Sequence, residues 1–83
     1  MKILYFARFR QMIGRGSDEI IIPSGVHTVN ALLNHLMATD AQCAAAFADI
    51  RTLRVAVDQH HSSLEASIVG AREVAFFPPV TGG

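Results

Sequence analysis

The chain has no tryptophan and one cysteine, Cys43, among 83 residues. A single thiol cannot close an intramolecular disulfide, form a Cys-x-x-Cys redox pair or supply the four cysteines of an iron–sulfur centre. Charge is scarce as well: seven basic residues balance seven acidic ones, and charged residues make up 17% of the chain. Polyanion binding needs a concentrated cationic footprint, so this balance argues against nucleic acid as a partner. No apolar run approaches the roughly 20 residues of a membrane-spanning helix. Ile3-Leu4-Tyr5-Phe6-Ala7 is too short for a signal-peptide core, and Arg8 interrupts it. The sequence therefore reads as a soluble, cytoplasmic protein with a reduced thiol and no membrane partner.

What is present is apolar. Hydrophobic residues make up 51% of the chain, enough for one unstapled domain of this size to hold itself together by burial. A small domain has much surface, so some of that apolar area must lie near it. Sparse charge around exposed apolar groups favours a protein partner.

Lys2 to Phe9 reads as a strand, with Ile3, Tyr5 and Ala7 on one face and Leu4, Phe6 and Arg8 on the other. On that reading Arg8 and Arg10 project from one side. Gly14, Gly16 and Ser17 mark a turn, and Glu19 to Ile22 reads as a second strand that Pro23-Ser24-Gly25 ends, giving an antiparallel hairpin. Thr28 is an N-cap candidate for a helix to about Met37, because Val29, Leu32, Leu33, Leu36 and Met37 form one stripe of a 3.6-residue period. Asp40 to Ile50 adds a short alanine-rich helix, and Leu53, Val55 and Val57 alternate as a third strand. Asp58 to Ser63 is a turn leading to an edge segment, and Glu73 to Phe77 is the last strand, ended by Pro78-Pro79.

This order predicts an α+β fold of the β-grasp (ubiquitin-like) type: a mixed sheet packed on one main helix over residues 1–77, then an extended tail over 78–83. If Val74 and Phe76 meet the helix, Phe77 points outward. With Leu4 and Phe6 it forms an exposed apolar patch.

The usual reactive groups offer little. Cys43 lies in Gln42-Cys43-Ala44-Ala45-Ala46 with no neighbouring cation to lower its pKa, and reads as a small core residue. His60 and His61 point to opposite sides of an extended chain. His27 and His35 are more than two helical turns apart, roughly 12 Å. No metal-ligand set is legible. Gly14-Arg15-Gly16 lies between strands and lacks the setting of a phosphate cradle.

The tail Pro78-Pro79-Val80-Thr81-Gly82-Gly83 is different. A terminal Gly-Gly arises by chance in about one chain in two hundred. The two prolines favour polyproline geometry, so six residues could carry the Gly83 carboxylate roughly 18 Å from the sheet. Gly82 and Gly83 carry no side chains, so the tip fits a narrow channel. A patch, a stiff spacer and a thin carboxylate tip suit a protein held by one surface while another protein works on its end.

Glu73-Val74-Ala75-Phe76-Phe77-Pro78-Pro79-Val80-Thr81-Gly82-Gly83 resembles the C-terminal signature of the molybdopterin synthase small (sulfur-carrier) subunits, the MoaD family of ubiquitin-like β-grasp proteins. Leu4-Tyr5-Phe6-Ala7-Arg8-Phe9-Arg10 with Gly14, the helix after Thr28-Val29, and Ala56-Val57-Asp58-Gln59 match in order, so the resemblance covers essentially the whole chain. It implies that an E1-like adenylyltransferase uses ATP to activate Gly83, that a persulfide donor protein converts it to a thiocarboxylate, and that the tail donates sulfur to cyclic pyranopterin monophosphate inside the large synthase subunit, within a heterotetramer. The chain would then bind no cofactor stably and would not be catalytic alone. By position, the resemblance makes Phe6, Phe77, Pro78, Pro79, Val80, Thr81 and His61 partner-binding residues. Two departures stand out: Asp58 replaces a usual asparagine, and Val69-Gly70-Ala71-Arg72 replaces the common Asp-Gly-Asp turn. Other readings are a thiamine-type sulfur carrier, which shares the diglycine, and a β-grasp binding module whose tail is never activated.

Overall fold

The structure, a computed structural model, describes residues 1–79. Its elements are β1 (Lys2–Tyr5), α1 (Arg8–Ile13), β2 (Ser17–Glu19), α2 (Val29–Thr39), α3 (Ala41–Ala46), a 3-10 turn (Ile50–Thr52), β3 (Arg54–Val57), β4 (His60–Ser62) and β5 (Glu73–Phe77). The strands form one sheet in the order β2-β1-β5-β3-β4. The central pair, β1 and β5, is parallel, with Ile3 opposite Val74 and Tyr5 opposite Phe76. The other pairs are antiparallel, so the sheet is mixed, as a β-grasp requires.

The phase of the sheet follows the expected alternation. Ile3, Tyr5, Val74 and Phe76 are fully or almost fully buried against α2, whose Val29, Leu32, Leu33 and Leu36 form the inward stripe. The Thr28 hydroxyl accepts from the Ala31 N–H at 3.1 Å, a cap that stabilises a helix by about 1 kcal/mol. The loop before β5 completes that helix start. Carbonyls of Ala66 and Leu64 accept from the Val29 and Asn30 N–H groups, which have no partner within the helix. Phe47 lies at the middle of the core, with its ring 5.1 Å from Phe76, 5.2 Å from Phe9 and 6.2 Å from Tyr5.

Several element bounds differ from expectation. The first strand stops at Tyr5 rather than Phe9, because Ala7 turns the chain at φ 54°, ψ −130°. Phe9 and Ile13, four residues apart, then bury one face of α1, so the period there is helical and Arg8 and Arg10 belong to α1. Gly14 closes this helix at φ 88°, a left-handed cap that suits glycine. The second strand is Ser17–Glu19, not Glu19–Ile22: β1 is too short to pair further, and Ile20 and Ile22 pack on the core from a loop. The main helix runs on to Thr39, and α3 is shorter than Asp40 to Ile50. The sheet therefore packs on three helices, of which α2 is the longest. Leu53 precedes β3, and within β3 Val57 is only half-buried while Ala56 is buried.

Candidate functional site

The sheet face turned away from α2 carries the residues of interest. Cross-strand register sets Leu4, Ala75, Ala56 and His61 in one row across β1, β5, β3 and β4. The two alanines make a flat floor, with half-buried Leu4 on one side and exposed His61 on the other. One step toward the C-terminal end of β5, Phe77 pairs with Arg54. Phe6 follows β1 beside it: its N–H donates to the Phe76 carbonyl at 3.1 Å, and its side chain is 47% exposed. The structure thus gathers Phe6, Phe77 and His61 at one end of the outer face, with Phe77 half-buried rather than fully exposed. His61 meets the Phe77 ring at 5.3 Å between centroids and 72° between planes.

Pro78 and Pro79 are half-buried and continue from Phe77 at this end. Val80, Thr81, Gly82 and Gly83, and with them the expected extended tail, lie outside the described residues.

Two neighbours of the patch escaped the sequence reading. Arg54, within the expected third strand, stands directly opposite Phe77. Arg8, assigned to a strand, begins α1, where its guanidinium lies 5.0 Å from the Phe9 ring centroid and donates to the Thr52 carbonyl at 3.1 Å. The i, i+4 spacing of Phe9 and Ile13 was the available signal for that helix.

The remaining polar chemistry is structural. Arg15 bridges Asp18 at 2.8 Å and Asp40 at 2.6 Å, and Tyr5 donates to Asp18 at 2.9 Å. Hydrogen bonds from Arg15 hold both carboxyls below the usual carboxylate range. Asp40 also caps α3 by accepting from the Gln42 and Cys43 N–H groups. Burial, with the Asp40 charge, pushes the Cys43 thiol up, the opposite of what a sulfur nucleophile needs. His27, His60 and His61 are exposed and His35 half-buried, and among the described residues no group of three or more histidine, cysteine or acidic side chains is placed to hold a metal. No helix among the described residues is long and apolar enough to cross a membrane.

The opposite end of β5 is fixed by the β3–β4 turn. Asp58 and Gln59 both take positive φ, 48° and 69°, the pattern of a two-residue type I′ hairpin. The Asp58 carboxylate accepts from the Arg72 and Glu73 N–H groups at 2.9 and 3.0 Å, and its own N–H donates to the Glu73 carbonyl. The asparagine that the resemblance leads one to expect here would offer an acceptor oxygen too, and this aspartate fills that role.

Among solved structures, the chain resembles SAMP1 of Haloferax volcanii, with TM-score 0.73 and 21% identity over 99% of this chain and 97% of that one. It also resembles a chain described as molybdopterin converting factor, subunit 1, of Pyrococcus furiosus, with TM-score 0.70 and 27% identity over 95% of each. Molybdopterin synthase sulfur carrier subunits are similar along their whole length. That of Escherichia coli (strain K12) is 39% identical over 83 residues, covering 100% of this chain and 99% of the relative. That of Haemophilus influenzae is 36% identical with the same coverage. That of Mycosarcoma maydis is 34% identical, covering 100% of this chain and 92% of the relative. The model of the ThiS family matches residues 3–83, so with these relatives the chain belongs to the ThiS family as a β-grasp protein of the molybdopterin synthase sulfur-carrier type.

Proposed function

We propose that this chain is the sulfur-carrying subunit of a molybdopterin synthase and that it serves molybdenum cofactor biosynthesis through its Gly83 carboxylate. The observation that carries the reading is the run from Phe76 to Gly83, in which an aromatic pair ends the central strand β5 and a proline pair and a terminal diglycine come after it. Family membership and the full-length likeness to sulfur carrier subunits support it.

A free carboxylate is a poor electrophile, so the chemistry starts by adenylation. An E1-like partner joins the Gly83 carboxylate to the AMP part of ATP, releasing pyrophosphate. The outer sulfur of a donor protein's persulfide displaces AMP to give an acyl disulfide. A second thiol of the partner then cleaves the S–S bond, leaving the Gly83 thiocarboxylate and a disulfide on the partner. The tail then enters the large synthase subunit, within a heterotetramer, and gives its sulfur to cyclic pyranopterin monophosphate in the cytoplasm. This chain supplies the reacting sulfur and the docking face made by Phe6, Phe77 and His61. Catalytic groups around the pterin belong to the large subunit. Cys43, the one thiol, is fully buried with its pKa pushed up and so does not compete as a sulfur nucleophile.

Intact-mass measurement of protein taken from cells tests the chemistry. One oxygen exchanged for sulfur, localised to the C-terminal peptide, is the expected result. If ATP-dependent adenylate formation with the E1-like partner persists unchanged after deletion of Gly83, the reading is wrong.

A further inference from the structure

Charge is scarce in this chain, yet the end of the sheet from which the tail departs is cationic. Arg8, Arg51 and Arg54 meet there around the residues leading into β3. Arg51 is neutralised by Asp49 at 3.1 Å. Arg8 and Arg54 have no carboxylate partner among the described residues. Their guanidiniums are held by neutral carbonyls instead: Arg8 by Thr52 at 3.1 Å, Arg54 by Leu53 at 2.9 Å and more loosely by Arg51 at 3.4 Å. Carbonyl bracing fixes the position of a guanidinium but leaves its charge in place. Both side chains belong to exposed residues.

Asp18 and Asp40 are committed to Arg15, and Glu19 pairs with the N-terminal ammonium. Of the remaining carboxylates, Glu65 lies beside Leu64, whose carbonyl accepts at the start of α2, and makes no ion pair among the described residues. Asp58 and Glu73 sit at the other end of β5, about 13 Å away along the strand. That exceeds the screening length of about 8 Å at physiological ionic strength. Phe77 pairs with Arg54 across the sheet, and Phe6 lies two residues before Arg8. The two arginines therefore flank the aromatic patch at the start of the tail.

We propose that the protein surface receiving the tail carries carboxylates opposite Arg8 and Arg54, and that this pair steers the approach and sets the angle at which the tail enters. The inference rests on the carrier reading above. The mouth of a channel that accepts residues 78–83 must lie against the rim where these side chains are braced, and prebraced cations lose little conformational freedom on pairing.

The test follows association of the full-length chain with the large molybdopterin synthase subunit across a range of ionic strengths. For the double variant Arg8→Gln, Arg54→Gln, the association rate at low salt should fall about tenfold and its salt dependence should flatten. Arg72→Gln, at the far end of β5, should leave both unchanged. Arg8→Lys with Arg54→Lys keeps the charge and should retain most of the rate, which also serves if the glutamine pair fails to fold. An unaltered rate and salt slope in the folded glutamine variant overturn the proposal while leaving the carrier reading intact. So does a loss of self-association of the free chain in place of a loss of partner binding. Failure of the wild-type chain to bind the large subunit at any salt overturns both.

Discussion

His61 stands against Phe77 at 5.3 Å between ring centroids, so an exposed edge strand props the aromatic residue that leads into the tail. One position earlier, Phe76 is fully buried in the core. Neighbouring phenylalanines of β5 therefore do different jobs, and substitution should separate them. Phe77→Asp should leave the chain folded, with a small loss in melting temperature, and weaken binding to the large synthase subunit at least about tenfold. Phe76→Asp should abolish the folded state, because its carboxylate would be buried without a partner. Circular dichroism with a binding titration reads both. If Phe77→Asp unfolds the chain while Phe76→Asp spares it, the assigned strand faces are inverted.

The turn at Asp58-Gln59 offers a stability test. Gln59 sits at φ 69°, where glycine meets no steric penalty. Gln59→Gly should stabilise the fold by about 0.5 kcal/mol, the relief of the left-handed residue exceeding the added freedom of the unfolded chain. Asp58→Ala should destabilise by about 1 kcal/mol by removing the acceptor for the Arg72 and Glu73 N–H groups. Urea denaturation of the three proteins gives the comparison.

Acid should act through Arg15. Its hydrogen bonds depress the carboxyls of Asp18 and Asp40, so their folded pKa values lie below the unfolded ones. Groups shifted this way stabilise the protein above the unfolded carboxylate pKa, about 3.9, and lose that contribution as the pH drops through the folded value. Melting temperatures of wild type and Arg15→Met should therefore differ at neutral pH and converge below about pH 4. A constant gap across that range would show that the ion pairs contribute nothing.

Cys43 is fully buried with a raised pKa, so a thiol reagent should modify it only as fast as the chain opens. Mild denaturant should raise the rate in step with unfolding. Immediate stoichiometric labelling of the native protein would contradict the packing described.

Where one period governed a segment, the sequence was a good guide. The stripe from Val29 to Met37 located α2, the Thr28 cap is present, and the alternation of Ile3 with Tyr5 and of Val74 with Phe76 set both faces of the central strands. Legibility failed where a single backbone angle redirected the chain. Nothing in Phe6-Ala7-Arg8 announces that an alanine will take φ 54°, so the start of α1, Arg8 and Phe9, looked like a continuing strand. The outer aromatic patch was half legible for a related reason. Phe6 and Phe77 follow from alternation, but Arg54 and Arg8 reach the same rim only through cross-strand register and the start of α1, neither of which is local in sequence. Gly83 stood out by composition alone.

The parallel pairing of β1 with β5 has a mechanical consequence. A partner that grips the tail pulls along the axis of β5, which is hydrogen-bonded to β1 on one side and β3 on the other. Such a pull loads both ladders in shear, so the bonds share the force instead of parting one by one as they would on a peeled edge strand. On the proposed carrier reading, a tail drawn into a channel and released again would leave the domain behind it in shape.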